Sequence, residues 1–496
     1  MTIGATIIGD HFDRIARRRG AHPAVVEGER RLGYAEILAR SEEVSRTLAP
    51  LYREPGERVG LMVPNSAAYV AAFFGIVRGG GVVAPLNVRY RSQELVYYLD
   101  DTQAAALVVT PELVAIAREA LAASPRPPAL VAIDAEGRCT VVAAGGGRDP
   151  TPAAGTDSPP LLHQYTSGST GAPKRVIRTH AQLAYELERL AGAFAVGEDD
   201  RFLGAAPFTH VNGLVRSMLT SMWVGATLHP VREFKRREVL DLVTRARLTY
   251  FGGVPSMFVI LADTPLRGDV DLSSLRTVFS ASAPLLADDN RRFAAKYGML
   301  ARQLYGSTET GTISVNLDAD LRDSLTTVGP PLDGVRVEVA DERGAPLAAG
   351  AEGEVLIASP AAIRGYNGNP EANAASFRDG FYCSGDLGRK DARGHLTLTG
   401  RKKFLINRGG FKVNPLEVEE AIRAHPRVRE VVVLAAPGPH GDDLVRAVIV
   451  VDGPCTAAEI VAHCAPRIAD FKVPSRIEFA DALPKSETGK ILRSKL

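Results

Sequence analysis

The chain has 496 residues, 45% of them hydrophobic and 23% charged, near the averages of soluble globular proteins, which excludes a disordered chain or a fibrous repeat. At roughly 150 residues per domain the length suggests about three domains, or two unequal ones, with enough core to fold without staples. Lysine and arginine number 59 against 57 acidic residues, so a net charge of +2 gathers neither nucleic acid nor anionic membrane, and any anion must be held locally.

At the N-terminus a basic cluster follows a short apolar stretch interrupted by Asp10, the reverse of a secretory signal. Ala67 to Leu86 is the most apolar region, but Arg78 and the three glycines after it break the run, so no membrane span is expected. Strand-like runs at 105–110, 128–134, 201–207, 248–255 and 275–284 each end near Gly, Ser or Pro, and helical stretches such as 181–194 alternate with them. That rhythm predicts α/β architecture with largely parallel sheets, whose binding sites gather at strand C-terminal ends. Residues 143–160 lack periodicity and read as a loop or linker. After Gly329, residues 335–347 and 353–359 alternate with period two around a turn at Arg343-Gly344, predicting a small antiparallel β subdomain.

Asn414-Pro415-Leu416-Glu417 then opens a helix, with Asn as N-cap, Pro at the first position and Glu417 placed to complete a capping box. Strands at 428–437, 443–452 and 476–481 and a helix at 456–468 follow. The fold expected is α/β: a large N-terminal domain over 1–400, built of α/β subdomains plus the β subdomain, and a smaller mobile α+β C-terminal domain over 401–496. Cys139, Cys383, Cys455 and Cys464 form no CxxC pair, and Cys464 beside His463 is no zinc spacing, so a cluster of buried structural thiols in a reducing compartment is expected.

The strongest motif runs from Tyr165 through Thr166, Ser167, Gly168, Ser169, Thr170 and Gly171 to Lys174. Small residues let backbone N–H groups approach an anion, and the hydroxyls and the lysine complete the cradle. No GK[ST] follows the glycines, so it is not a Walker loop. This segment resembles the phosphate loop of the adenylate-forming superfamily, which includes acyl-CoA and aryl-CoA synthetases, adenylation domains and luciferases. Further motifs of that superfamily follow in order along nearly the whole chain. Ser282-Ala283-Pro284 lies where the family lines its nucleotide pocket. Tyr305-Gly-Ser-Thr-Glu-Thr310 is similar to the segment whose aromatic ring packs near adenine, with Thr308 implied at the α-phosphate and Glu309 at magnesium. Tyr382-Cys-Ser-Gly-Asp386 and Gly400-Arg401-Lys402-Lys403 resemble the ribose-binding aspartate and the hinge, whose arginine also reaches the ribose. Pro484-Lys-Ser-Glu-Thr-Gly-Lys490 resembles the tail that carries the catalytic lysine.

The resemblance implies ATP, Mg2+ and CoA, or a carrier-protein phosphopantetheine, as cofactors, and a small carboxylic acid as substrate. The chemistry of these residues agrees. Activating a carboxylate on ATP brings like charges together, so the site needs cations and a metal where charge develops. Glu309 suits magnesium, Asp386 a ribose diol, and Lys490 is a point charge able to bridge carboxylate and phosphate oxygens. Pro207-Phe-Thr-His-Val-Asn-Gly213 resembles the acyl-pocket segment, with His210 where amino-acid-activating domains carry aspartate, and Gly252, Gly253 and Ser280 are candidates for the same pocket. Lys403 is the expected hinge and Gly409-Gly410 the expected lining of a thiol channel.

Two departures stand out. Arg175 follows the loop lysine where the family commonly has glycine, and reads as an extra surface charge or a partner contact. Asn407 stands where luciferases carry a lysine for their oxidative step, which disfavours an oxygenase, and intact Glu309, Asp386 and Lys490 disfavour a silent nucleotide binder. An acyl- or aryl-CoA ligase is the leading expectation, with a stand-alone adenylation enzyme that loads an acyl carrier protein as the alternative. Cytoplasm is the expected compartment; Ser494-Lys495-Leu496 matches the peroxisomal address, which would apply only in a eukaryotic host.

Overall fold

The computed structural model describes residues 8–146, 158–166, 174–266, 268–408, 411–438, 443–486 and 489–496. Two compact units form. The first takes the described residues up to Leu325 with Leu332–Val335 and Ala358–Gly380; the second takes Thr326–Pro331, Arg336–Ile357 and the described residues from Phe381 to Leu496.

Two sheets organise the first unit. One runs Gly311–Val315, Arg302–Ser307, Thr277–Ser280, Tyr250–Gly253, Arg201–Gly204, Thr227–Pro230, Pro23–Glu27, Arg30–Gly33. Its two edge strands are antiparallel and the interior is parallel. The other runs Cys139–Ala143, Ala129–Ile133, Ala106–Val109, Arg58–Met62, Val82–Pro85, Pro160–Thr166, Lys174–Thr179, again parallel inside antiparallel edges. Interior parallel strands are buried on both faces, so they appear in sequence as unbroken apolar runs: Ala106–Val109 is buried at every position. Helix Ala67–Arg78 starts where Ser66 Oγ accepts the Tyr69 N–H at 3.2 Å, and it is buried from Ala67 through Val77. The most apolar stretch is therefore a core helix, and no helix among the described residues is long and apolar enough to cross a membrane. Under the first sheet, Phe258 packs on Phe251 and on Phe293 with ring centroids 5.2 Å apart in each case, anchoring the helices to the strands.

In the second unit, Phe381–Lys390 pairs antiparallel with Glu352–Ala358 and with Leu396–Arg401. A three-stranded sheet of Val428–Pro437, Asp443–Val451 and Arg476–Phe479 follows, with helices Pro415–Arg423 and Ala457–Cys464 closing its core. Two expectations need correction. Asn414 caps its helix, accepting the Leu416 N–H at 3.1 Å, but Glu417 forms no capping box because Lys472 draws its carboxylate away at 2.6 Å. The cysteines are not a buried cluster: all four are free thiols, and only Cys464 is fully buried. Burial, with Glu43 and Asp134 nearby, pushes the Cys139 thiol up to about 12, so it stays protonated and inert.

Asn414 also donates from Nδ2 to the Thr399 carbonyl at 2.6 Å, tying the helix start to the strand that ends at Arg401. Asn414→Ala should cost about 1–2 kcal/mol in urea unfolding followed by circular dichroism. Fluorescence of Trp223, the single tryptophan and a member of the first unit, should keep its midpoint.

Candidate active site

In the first unit, the motif from Tyr305 to Thr310 is a tight hairpin. Strand Arg302–Ser307 turns through Thr308, Glu309 and Thr310 into Gly311–Val315. Ser307 closes the turn, its hydroxyl 2.9 Å from that of Thr310 and accepting the Thr310 N–H at 3.2 Å. Tyr305 is buried opposite Ser314, and Thr308 is half-buried at the tip. Glu309 is 8% exposed. Its Oε1 accepts the Tyr366 hydroxyl at 3.0 Å, and its carbonyl accepts the Ile363 N–H at 2.8 Å. The ring of Tyr366 carries the Lys174 ammonium 4.8 Å from its centroid, a cation–π contact. One buried phenol thus links the lysine of the phosphate loop to the candidate metal carboxylate. Sequence reading missed Tyr366; its signal is an aromatic after Arg364-Gly365 in a loop, and by itself that is weak. Thr166 and Lys174 are the last cross-strand pair before the loop, and Ser167, Gly168, Ser169, Thr170 and Gly171 lie outside the described residues.

Behind the hairpin lies a buried ion network. Arg178 Nη1 donates to Glu186 Oε2 at 2.6 Å with both side chains fully buried. Glu186 Oε1 accepts the Thr312 N–H at 2.8 Å and the Thr312 hydroxyl at 2.7 Å, and Arg216 Nε donates to that hydroxyl at 3.1 Å. Arg216 sits on a π-helical turn, Leu214–Leu219, whose carbonyl at Arg216 accepts the Tyr250 hydroxyl at 2.7 Å. Burial opposes ionisation of Glu186, but Arg178, Arg216 and Thr312 outweigh it and hold the carboxyl below its ordinary 4.5. Gly306 is glycine because an added Cβ would lie 2.3 Å from Arg216 Nη2.

The acyl-pocket candidates share one end of the same sheet. His210 is exposed and caps the short turn Val211–Gly213, its carbonyl accepting the Leu214 N–H at 2.8 Å. Asn212, missed in sequence, is buried and donates to the Gly253 carbonyl at 3.0 Å. Gly253 pairs with Ser280, whose buried hydroxyl has no hydrogen-bond partner among the described residues, and neither has Asn212 Oδ1. Gly252 and Gly253 have a packing reason to be glycine, since added Cβ atoms would lie 2.4 Å from the Phe279 ring and 2.9 Å from the Phe258 ring. Ser282, Ala283 and Pro284 follow strand Thr277–Ser280, with Ser282 at φ +77.

The second unit carries its own group. Asp386 and Arg401 face each other across paired strands, Arg401 Nε donating to Asp386 Oδ1 at 2.6 Å, and Asp386 is buried. Lys403 lies in the turn Lys402–Phe404 with its ammonium 4.7 Å from the Phe404 ring centroid. Lys490 is exposed, and its carbonyl accepts the Ser486 N–H at 2.8 Å. Gly409 and Gly410 lie outside the described residues.

The Tyr305–Thr310 hairpin of the first unit and the Asp386–Arg401 pair of the second lie in segments that resemble those of AMP-binding enzymes. Family models agree: residues 12–367 match the AMP-binding enzyme and residues 417–490 its C-terminal domain, so the chain belongs to this adenylate-forming family. A feruloyl-CoA synthase of Amycolatopsis sp is 34% identical over 491 residues, covering 97% of each chain. Oxalate–CoA ligase of Arabidopsis thaliana is 31% identical, covering 94% of this chain and 93% of its own. Among solved structures, ATP-bound MatB from Rhodopseudomonas palustris superposes with a TM-score of 0.88 at 30% identity over 98% of both chains.

The ion network yields a test. Glu186→Gln strands two buried guanidinium groups and should cost about 3–5 kcal/mol of stability at pH 7. Because the folded carboxyl titrates below its unfolded value of 4.5, its contribution is complete above that value and fades as pH falls through the lower folded one. The gap between wild-type and variant urea midpoints should therefore narrow below pH 4.5.

Proposed function

We propose that this protein activates a carboxylic acid with ATP and passes the acyl group to CoA. A carboxylate oxygen attacks the α-phosphorus and expels pyrophosphate; the thiol sulfur then attacks the acyl carbon and expels AMP. The observation that carries this reading is the Lys174–Tyr366–Glu309 line, which sets a cation and a hard oxygen donor on one buried phenol, in a chain 34% identical to a feruloyl-CoA synthase. Glu309 fits magnesium: Tyr366 fixes one oxygen, and no group of three or more His, Cys, Asp or Glu among the described residues could hold a metal, so phosphates and water would supply its other ligands. When bound, the ion neutralises charge on the phosphates.

In this reading Tyr305 and Ser282–Pro284 contact the base, Thr308 and Thr166 the phosphates, and Asp386 with Arg401 the ribose. Residues 1–400 bind ATP and acid, and residues 401–496 move about Lys403, with Lys490 serving adenylation and Gly409-Gly410 the thiol. His210, Gly252, Gly253 and Ser280 belong to the acyl pocket. Free thiols at all four cysteines suit a reducing compartment, in our reading the cytoplasm.

Aryl acids come first as substrates. Asn65 and Tyr69 hold the Pro207–Gly213 segment and Asn212 bonds to Gly253, and in our reading His210 takes the position where the superfamily's amino-acid-activating domains carry aspartate. An α-ammonium group would there lose its hydration opposite an imidazole rather than an aspartate. In a panel read by pyrophosphate release and then by thioester with CoA, hydroxycinnamic-type acids should exceed proteinogenic amino acids by about 100-fold or more in kcat/KM. Amino acids as the best substrates would reverse the assignment, and thioester with carrier protein but not CoA would change the acceptor. Lys490→Ala should lose about 10²–10⁴-fold in acyl-AMP formation while sparing thioester formation from supplied acyl-AMP. Equal loss in both steps would refute the division of labour.

A further inference from the structure

Three residues after Lys490, Arg493 turns into the second unit while the lysine stays exposed. Arg493 Nη2 donates to Glu419 Oε1 at 2.6 Å, and Nη1 donates to the Val433 carbonyl. Glu419 Oε1 also accepts the Val433 N–H at 2.8 Å, so the ion pair closes on both backbone polar groups of one residue in strand Val428–Pro437. The Arg493 and Glu419 side chains are 18% and 8% exposed, so solvent screens the pair little. Burial pushes the Glu419 carboxyl above its ordinary 4.5, while Arg493 and the Val433 N–H pull it back. The same guanidinium lies 4.8 Å from the Phe404 ring centroid, and the Lys403 ammonium lies 4.7 Å from it. Phe404 ends the turn Lys402–Phe404, so one ring ties the segment of Lys490 to the turn in which Lys403 stands.

Other contacts seat the same segment without fixing its direction. Leu483 is buried against Val432, Val448 and Val450, and Ile491 and Leu496 pack on that cluster. Lys485 and Ile491 form an antiparallel bridge, the Leu492 N–H donates to the Pro484 carbonyl at 2.8 Å, and Lys485 pairs with Glu430 at 2.6 Å. Apolar burial is non-directional, whereas a guanidinium presents its donors in a rigid fork. Arg493 therefore sets where the chain, and with it the root of Lys490, leaves the sheet.

We propose that Arg493 is a positioning residue for Lys490: joined to Glu419, Val433 and Phe404, it holds the root of the lysine in a fixed relation to the turn at Lys403. This rests on the reading of Lys490 as the lysine of acyl-AMP formation. Lysine is a point charge on a flexible four-carbon stem, so its ammonium is pre-placed only if its root is held. A displacement of about 1 Å at a distant support can cost up to about 100-fold in rate, which is the scale on which this anchor acts.

The test asks whether the effect of Arg493→Gln passes through Lys490. On the full chain, pyrophosphate release with the fastest acid of the panel above reads acyl-AMP formation. Thioester formation from supplied acyl-AMP and CoA reads the second step. Arg493→Gln should lower kcat for acyl-AMP formation by about 10–30-fold, with KM for ATP and the rate of thioester formation each within about threefold of wild type. In a Lys490→Ala background the same substitution should cost less than about twofold, because no lysine is left to place. A merely structural role would lower both steps together and would add in full to Lys490→Ala. Phe404→Leu leaves the ion pair intact and should give the same selective loss at about 3–10-fold; if Arg493→Gln fails to fold, it decides by the same criteria. Unchanged acyl-AMP formation, equal loss in both steps, or a loss that persists in full in the Lys490→Ala background overturns the proposal. Lys490→Ala that by itself keeps wild-type acyl-AMP formation overturns the reading of Lys490, a result seen before Arg493 is changed.

Discussion

The buried pair of Arg178 and Glu186 is the constraint on which the geometry of the first unit's candidate site depends. Five segments meet at it: the strand returning from the phosphate loop, the helix His180–Ala193, the π-helical turn with Arg216, the strand end at Tyr250, and the hairpin of Gly311–Val315. Arg178 also donates to the Ala361 carbonyl at 3.2 Å, close in sequence to Tyr366. Burying three charges is expensive, and an apolar cluster of the same volume would give equal or greater stability. What the ions supply is direction. The paired donors of Arg178 and Arg216 meet acceptors in fixed positions, so the hairpin cannot slide without stranding a charge. Gly306 and Gly311 follow from this, because added Cβ atoms would strike Arg216 and Glu186.

The same network has an electrostatic consequence. Two guanidinium groups and one carboxylate leave a single positive charge behind the turn of Thr308 and Glu309. Placed in a dry core, that charge is poorly screened and does not reorganise. It favours an anion at the tip of the hairpin before any substrate arrives, as electrostatic preorganisation requires. Lys174 adds a second cation, held over Tyr366 rather than paired with a carboxylate, so its charge is not cancelled locally. Glu309 supplies a negative group at the turn, and Tyr366 directs it.

Much of this architecture was legible in the sequence, for physical reasons that also mark where legibility stops. Parallel interior strands are apolar throughout, so their runs stood out and the α/β reading followed. Glycine-rich and hydroxyl-rich motifs carry their function in composition, and family likeness ordered them along the chain. Asp386 and Arg401 were named apart and the structure pairs them. Tyr366, Asn212, Asp101 and Arg216 were invisible because each is a single polar residue in an ordinary context, and its role exists only through a distant partner. Glu417 misled for the same reason, since nothing local announces that Lys472, 55 positions on, will take its carboxylate. Arg175 was visible as a departure, but not that it pairs with Asp101, 74 residues back, at 2.8 Å.

Ser282 shows how far such distant support reaches. The chain must turn sharply at the end of strand Thr277–Ser280, and Ala283 cannot take the helical region because Pro284 follows it. Ser282 absorbs the turn at φ +77, a conformation that costs a residue with a Cβ about 1–2 kcal/mol. Two clamps hold it there. The Ala281 N–H donates to the Gly253 carbonyl at 3.1 Å on one side. On the other, Gln303 accepts the Leu285 N–H at 2.9 Å, donates to the Leu285 carbonyl at 3.0 Å and donates to the Leu325 carbonyl at 2.8 Å. Gln303 lies two residues before Tyr305 on the neighbouring strand. The side chain that fixes the strained turn therefore springs from the strand that carries the aromatic ring, and Ser282–Pro284 and Tyr305 are held in one rigid relation. A glycine at 282 would relieve the strain but hold that relation less firmly.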